Sequence, residues 1–437
     1  MTFRGLFIVG FFVLASLAAL VEPFWGLAAY VLHYHSHPER TWWGKGLADA
    51  GVRYSFAITA FLAVGTVLNL KKLPYGRIVV GQELLYIAFL GWCILVRMMN
   101  GQQTDEDSVG KMVKLSVFIL SMTHILTNYR QFDRFLKVLV ICGLYLGFEC
   151  YSASPGQYTK GRLEGVGGPD FSDSNALAAH MVALLPLIGV VFLTCNWKTK
   201  MVCFLAGGLL ANGVVQTRSR GGYLAAIVAA GVMMMLAPKG HRWKLALLLV
   251  LGTIAAVTLV DAAYFERMGT LRAGEREKDE SAMSRLRFWE AGYRMAIDHP
   301  LGVGPGNFVA NVGEYLPADS GRDTHNTYIR CLAELGWPGL GLLGSLIGNA
   351  YLSLARVRRS ACRGQESAAC SWSAYGLQMS LSAYLMSSMF ISATYTEMTW
   401  WLLLLPAALE RASGNADTLV NDRTPVATRE GMSCRSS

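Results

Sequence analysis

Long apolar stretches recur along this chain too often for a water-soluble fold. Residues 5–19, 84–96, 176–194 and 245–260 carry almost no charge. Runs of about 18 such residues read as membrane-spanning helices, because only a helix satisfies its own backbone inside lipid. Only 16% of the 437 residues are charged and 53% are hydrophobic, whereas a soluble domain of this size carries about 25% charged residues. The first run follows a single basic residue, Arg4, and has no clear small-x-small cleavage site before Glu22-Pro23. It reads as a retained first helix.

Spans are expected near 5–34 (one long element, bent at Pro23), 54–70, 82–99, 111–127, 133–151, 175–194, 200–216, 221–237, 243–262, 328–355, 373–392 and 396–410. The fold class is therefore an all-α polytopic membrane protein of about twelve transmembrane helices. Four parts follow: N-terminal helices over 1–204, a core over 205–355 that includes the long loop 263–325, C-terminal helices over 356–410, and a polar tail over 411–437 expected to be disordered.

The net charge of +9 could point to nucleic acid, but its placement argues for a membrane. Alternate loops hold Lys71, Lys72 and Arg77; Arg130, Arg134 and Lys137; Lys198 and Lys200; Lys239, Arg242 and Lys244; and Arg356, Arg358, Arg359 and Arg363. The opposite set includes Asp105-Glu106-Asp107. Positive-inside orientation puts both termini in the cytoplasm and the 263–325 loop outside. If 5–34 forms two spans, only the N-terminus changes side. The nine cysteines include Cys93, Cys142 and Cys203 within spans and form no close metal-binding or redox pair, so they read as small apolar filler.

Two outer segments are basic where the orientation rule disfavours it: the turn Thr217-Arg218-Ser219-Arg220-Gly221-Gly222, and the long loop with Arg267, Arg272, Arg276, Arg285, Arg287, Arg294 and Arg322. An anionic ligand is the simplest cause. Arg97, Glu149, His180, Arg330, Glu334 and Glu397 also fall toward the outer half of their spans, with His124 the exception at an inner end. A mid-bilayer charge costs at least about 2.5–3.5 kcal/mol on insertion scales, so this set implies a polar cavity open to the outside. A transporter would instead gather such groups near the midplane.

Four motifs carry the chemistry. In 217–222, two glycines permit a tight turn into a new helix, whose free N–H groups and adjacent arginines make an anion site. Residues 281–297 have helical periodicity, with Leu286, Trp289, Tyr293 and Ala296 as an apolar face and Glu290–Arg294 as an ion pair. This predicts an amphipathic helix on the outer membrane surface, ended by Pro300, with Arg285 aimed inward. Gly302, Gly304 and Gly306 lack a preceding strand and a following Walker lysine, so they read as a hinge beside the site and not as a nucleotide loop. Last, His325-Asn326 is followed by nine residues and Gly336-Trp-Pro-Gly339. The positive end of the helix starting after His325 favours the neutral imidazole that a general base requires, and the Gly/Pro cluster bends the span.

Together these motifs resemble the O-antigen ligase and Wzy-type polymerase superfamily. The likeness is strongest over 205–354; weaker likeness through Gly167-Gly168-Pro169-Asp170-Phe171-Ser172-Asp173-Ser174-Asn175 is similar to the O-glycosylation ligases that accompany exosortase systems. The resemblance implies a GT-C-like fold with a large periplasmic loop in the bacterial inner membrane. It implies a metal-independent, cofactor-free glycosyltransferase that takes a glycan from undecaprenyl diphosphate to a glycolipid, glycan or protein acceptor. By that carry-over Arg220 and Arg285 bind the diphosphate, Arg218 and Asn326 assist on the donor, Arg330 is a further candidate, and His325 activates the acceptor hydroxyl. A ligase, a polymerase and a non-catalytic polysaccharide exporter are the competing readings.

Overall fold

The computed structural model describes residues 3–41, 44–72, 81–171, 173–237, 239–247, 249–250, 275–360 and 365–423. Its helices are α1 (Phe3–Ala19), α2 (Phe24–Ser36), a short α3 (Lys45–Asp49), α4 (Tyr54–Leu68), α5 (Gly81–Asn100), α6 (Ser108–Ile125), α7 (Tyr129–Tyr151), α8 (Ser174–Thr194), α9 (Trp197–Thr217) and α10 (Arg220–Leu236). After these come α11 (Glu275–Asp298), α12 (Phe308–Tyr315), α13 (Thr327–Ser360), α14 (Gln365–Ser387) and α15 (Glu397–Arg423). The expected span at 243–262 falls largely outside the described residues.

Several helix starts are written in short polar side chains that take up orphan backbone donors. Asp107 caps α6, Asn128 caps α7, Asp173 caps α8, Asn196 caps α9 and Ser219 caps α10. Among the described residues four helices, α5, α8, α9 and α13, are long and apolar enough to cross a membrane. Phe56, Phe204, Ile227 and Met235 stand 72%, 72%, 67% and 78% exposed on outer helix faces, an arrangement suited to hydrocarbon and costly in water. The chain is a helical, multi-pass membrane protein. At its centre α8 packs against α7, α9, α10 and α14. Its uniform Ala/Leu/Val composition lets it be buried on nearly every side.

Three expected elements differ. Residues 5–34 are two helices that pack on each other, with Phe12 edge-on to His33 at 6.3 Å. Pro23 has no N–H for the helical ladder and disfavours helix at Glu22, so the chain turns there. The span expected over 373–392 stops at Ser387, and 388–396 is a loop. The expected tail is helical as far as Arg423, as a continuation of α15, which begins at Glu397 and runs through Pro406 and Gly414.

The described part of 263–325 is ordered helix and clasp. In α11, Phe288, Ala291 and Met295 are buried against Phe308, Val312 and Ala333. The face expected to be apolar is split: Ala296 is buried and Trp289 packs on the same cluster, whereas Leu286 and Tyr293, with Ile297 beside them, stand 53%, 48% and 54% exposed, and Tyr293 meets Trp337 edge-on at 6.3 Å. One stripe thus serves the protein, and a second is left open on a membrane protein's flank. The Glu290–Arg294 pair forms, with N···O of 2.6 Å.

The three-glycine loop is a clasp and not a hinge. Val303 N and Gly304 N donate to the carbonyls of Ala333 and Glu334, each at 3.0 Å, and Trp337 N donates to Pro300 O at 3.1 Å. At Gly336 α13 is broken, with φ 66° and ψ −169°. A Cβ there would lie 2.1 Å from Pro300 O. Gly336→Ala should therefore cost about 3 kcal/mol or more, read as a lower unfolding midpoint in detergent; an unchanged midpoint would contradict the clasp.

Candidate functional site

The turn between α9 and α10 is built by three consecutive backbone choices. Arg218 takes the left-handed conformation (φ 48°) that closes α9, Ser219 is extended, and the Ser219 hydroxyl accepts from Gly222 N at 3.1 Å. Arg220, the first residue of α10, is exposed. Gly222 lets this turn press on α8, where a Cβ would lie 2.7 Å from that of Ala178.

A third guanidinium joins from a segment that sequence reasoning missed. Tyr158–Thr159 and Arg162–Leu163 pair as an antiparallel hairpin, β1–β2. Its two-residue turn, Lys160-Gly161, has φ 51° and 72°, the signature of the turn type whose twist matches a hairpin. Leu163 points into the core. Arg162 donates to Thr217 O at 3.2 Å and to Asn175 Oδ1 at 2.8 Å, and the same Oδ1 accepts from the Ser219 hydroxyl at 2.9 Å. The Thr-Lys-Gly-Arg turn was the available signal, but two-residue strands leave no periodicity to find.

Arg285 reaches in from α11, its guanidinium 5.8 Å above the Phe390 ring. Phe390 also lies against Gly221, whose Cβ position is 3.0 Å from the ring. One aromatic ring therefore separates the start of α10 from α11. Burial, then the charges of Arg220 and Arg162, push the Arg285 guanidinium below its ordinary value. Three cations within electrostatic reach of one another favour a multiply charged anion.

His325 stands on the other side of the same loop. Thr327 N donates to Ser388 O at 2.9 Å. The Thr327 hydroxyl donates to Ile391 O at 2.8 Å and accepts from Ala393 N at 2.9 Å, and the Thr324 and Ser392 hydroxyls are 3.2 Å apart. Phe390 thus meets Arg285 and Gly221 while Ile391, Ser392 and Ala393 form a wall shared with His325. His325 itself is exposed and left-handed, with φ 47°, an uncommon strain of order 1 kcal/mol for a residue with a Cβ. It borders a cavity of about 130 Å³ that also touches Tyr34, Asp170, Phe171, Asp173, His180 and Asp323.

Arg220, Arg285 and His325 are gathered around one loop. The other expected site residues have different surroundings. Asn326 is 3% exposed, and its Oδ1 accepts from the backbone of Tyr328 and Ile329 at 2.9 and 3.2 Å. That oxygen is taken by the start of α13 and is not available to a donor. Arg330 is locked to Glu106, Glu334 and Asp323 at 2.7, 3.0 and 3.5 Å, which makes it a structural cation. Arg218 lies near Tyr158 of the hairpin.

Residues 205–344 match the family model described as O-antigen ligase, Wzy_C. The match covers about a third of the chain and supports a likeness of this segment to the O-antigen ligase/Wzy superfamily. No curated protein matches the chain. The O-antigen ligase segment contains Arg220, Arg285, Asp323 and His325, while Arg162, Asp170 and Asp173 come from outside it. A segment of this family suggests a glycan-transferring enzyme.

Asn175 is the joint between the hairpin and the α9–α10 turn. Asn175→Ala removes the acceptor shared by Arg162 and Ser219 and should cost about 1–3 kcal/mol, measured by thermal unfolding of the purified protein. An unshifted transition would show that the two segments are held by other means.

Proposed function

We propose that the chain is a glycosyltransferase of the inner membrane that works on the periplasmic face. It transfers a glycan from undecaprenyl diphosphate to an acceptor hydroxyl, without a metal. What carries the reading is that the charges of Arg220 and Arg162 reach Arg285, whose guanidinium lies over Phe390, one residue away from the wall shared with His325. The outer placement rests on the distribution of lysines and arginines along the sequence.

In the proposed step the acceptor oxygen attacks the anomeric carbon as its proton passes to His325. The bond from that carbon to the diphosphate oxygen breaks, and polyprenyl diphosphate leaves with the electron pair. Negative charge grows on the leaving group, where three guanidinium groups meet it; their planar forks suit a diphosphate better than ammonium groups would. Since cations from the protein can neutralise this charge, the step needs no divalent ion, and excess chelator should leave the rate unchanged.

His325→Ala should lower transfer by about 10²–10⁴-fold, with the lipid-linked donor accumulating. Polysaccharide display that persists in this variant would favour a non-catalytic exporter instead. Arg285→Lys and Arg220→Lys keep the charge but lose the bidentate geometry, so each should reduce kcat/KM by roughly 10–100-fold. Supplying the purified protein with lipid-linked glycan alone, or with a lipid A-core acceptor, separates a polymerase from a ligase. Product lengthened on the carrier identifies the first, and product joined to the added acceptor the second.

A further inference from the structure

The cavity beside His325 has a second histidine in its wall, and the hydrogen bonds behind that residue fix what it presents. His35 on α2 is fully buried, and its Nδ1 lies 2.7 Å from Val31 O. A carbonyl can only accept, so this nitrogen carries the proton. With one proton on the ring, His35 Nε2 has only a lone pair to offer, and it lies 2.9 Å from His180 Nε2. His180 must therefore donate from Nε2, which leaves its Nδ1 as a bare acceptor. His180 is 2% exposed, stacks on Phe171 at 4.6 Å, and lines the cavity. No described residue bonds its Nδ1.

The other polar groups around the cavity are also mainly acceptors. Asp173 spends Oδ1 on the backbone of Asn175 and Ala176. Asp170 spends Oδ2 on the Tyr34 hydroxyl and Glu397 N, at 3.1 and 3.0 Å. Each of these two carboxylates keeps a second oxygen that no described residue bonds. Asp323 accepts from Thr324 N at 2.7 Å and is held near Arg330. Tyr34, Phe171 and Tyr384 supply flat apolar surface. The space of about 130 Å³ is comparable with the ~150 Å³ cavity that holds a benzene ring in an engineered protein. One ring fits. A ring with several outward O–H groups would satisfy these lone pairs, whereas a single Ser or Thr hydroxyl would leave most of them unmet.

We propose that this cavity is the acceptor subsite, and that His180, held by His35 as an obligate hydrogen-bond acceptor, receives one hydroxyl of a polyhydroxylated acceptor ring and so sets another hydroxyl beside His325. The assignment rests on the transferase reading above. It adds specificity: the acceptor is a sugar ring, and its recognition comes from α2, α8 and the segment before α8, outside the matched ligase segment.

The test uses the full chain in lipid nanodiscs and hexyl glycosides as probes, alongside deoxy analogues and a Ser/Thr-rich peptide. Equilibrium binding without donor reads the subsite alone. The wild type should bind the fully hydroxylated glycosides in preference to the deoxy analogues and the peptide. His180→Phe keeps an aromatic ring against Phe171 but removes the lone pair, and should weaken glycoside binding by roughly tenfold. His180→Asn, which retains an acceptor, should recover part of that loss. Asp173→Asn preserves the helix cap, so a weakening of about threefold or more there would not reflect unfolding. In transfer assays the His180→Phe effect should appear in the acceptor KM, with the donor KM and kcat within twofold. Peptide bound as well as glycoside, or both His180→Phe and Asp173→Asn binding glycosides like the wild type, overturns the subsite. Glycoside binding that depends on His180 without any transfer from lipid-linked donor leaves the subsite standing and removes the transferase reading instead.

Discussion

A single buried carboxylate organises the end of the molecule where the candidate site lies. Glu334 is fully buried and takes four hydrogen bonds: Gly306 N at 2.9 Å, Phe308 N at 3.2 Å, Arg330 Nε at 3.0 Å and the Tyr395 hydroxyl at 2.8 Å. A charge sealed from water is tolerated only when it is paired and its lone pairs are filled. Filling them requires the glycine loop, the first turns of α13 and the loop before α15 to be in place together. Arg330 then extends the knot to Glu106 and to Asp323, two residues before His325. The geometry of the site is thus set by an electrostatic requirement one layer behind it.

The knot also explains why the loop at 388–396 can serve two chemistries. It is zipped to Thr324 and Thr327 by backbone and hydroxyl bonds, and Tyr395 is tied to Glu334. Held at both ends, it presents Phe390 to the cationic cluster and its next three residues to the His325 cavity. A bonded loop of this kind keeps the two sides of the proposed reaction in fixed relation, which is what proximity effects demand. At the opposite end of the bundle Arg411 makes a two-pronged contact with Glu83, at 2.8 and 2.7 Å, and His124 lies 3.7 Å from the same carboxylate. The histidine that was out of place among the outer ionisable residues therefore belongs to a second buried knot.

Much of the helical layout was legible, because apolar length and capping residues are local signals. The starts of α5 through α10 fall within a few residues of the expected spans, and Arg220, Arg285 and His325, singled out from charge placement and helix ends, lie around one loop. What escaped depends on partners distant in sequence. The glycine loop reads as flexible until Glu334 occupies its N–H groups. The face of α11 is split because Phe308 and Ala333 offer a better surface for Phe288 than the lipid does. Arg162 sits in a hairpin too short for a pattern, and its meaning comes from Asn175 and Thr217. The His35–His180 contact joins residues 145 positions apart, and nothing near either histidine announces the other.

The Lys160-Gly161 turn has a geometric corollary. Neighbouring positions on a strand project to opposite sides, so a turn of fixed length decides by parity alone that Leu163 enters the core and Arg162 faces Asn175. Lengthening the ribbon by one residue would exchange those directions, seating a cation among hydrocarbon and turning leucine toward the anion site. The two-residue turn therefore acts as an indexing pin: it selects which side chain the cluster receives while contributing no charge of its own to it.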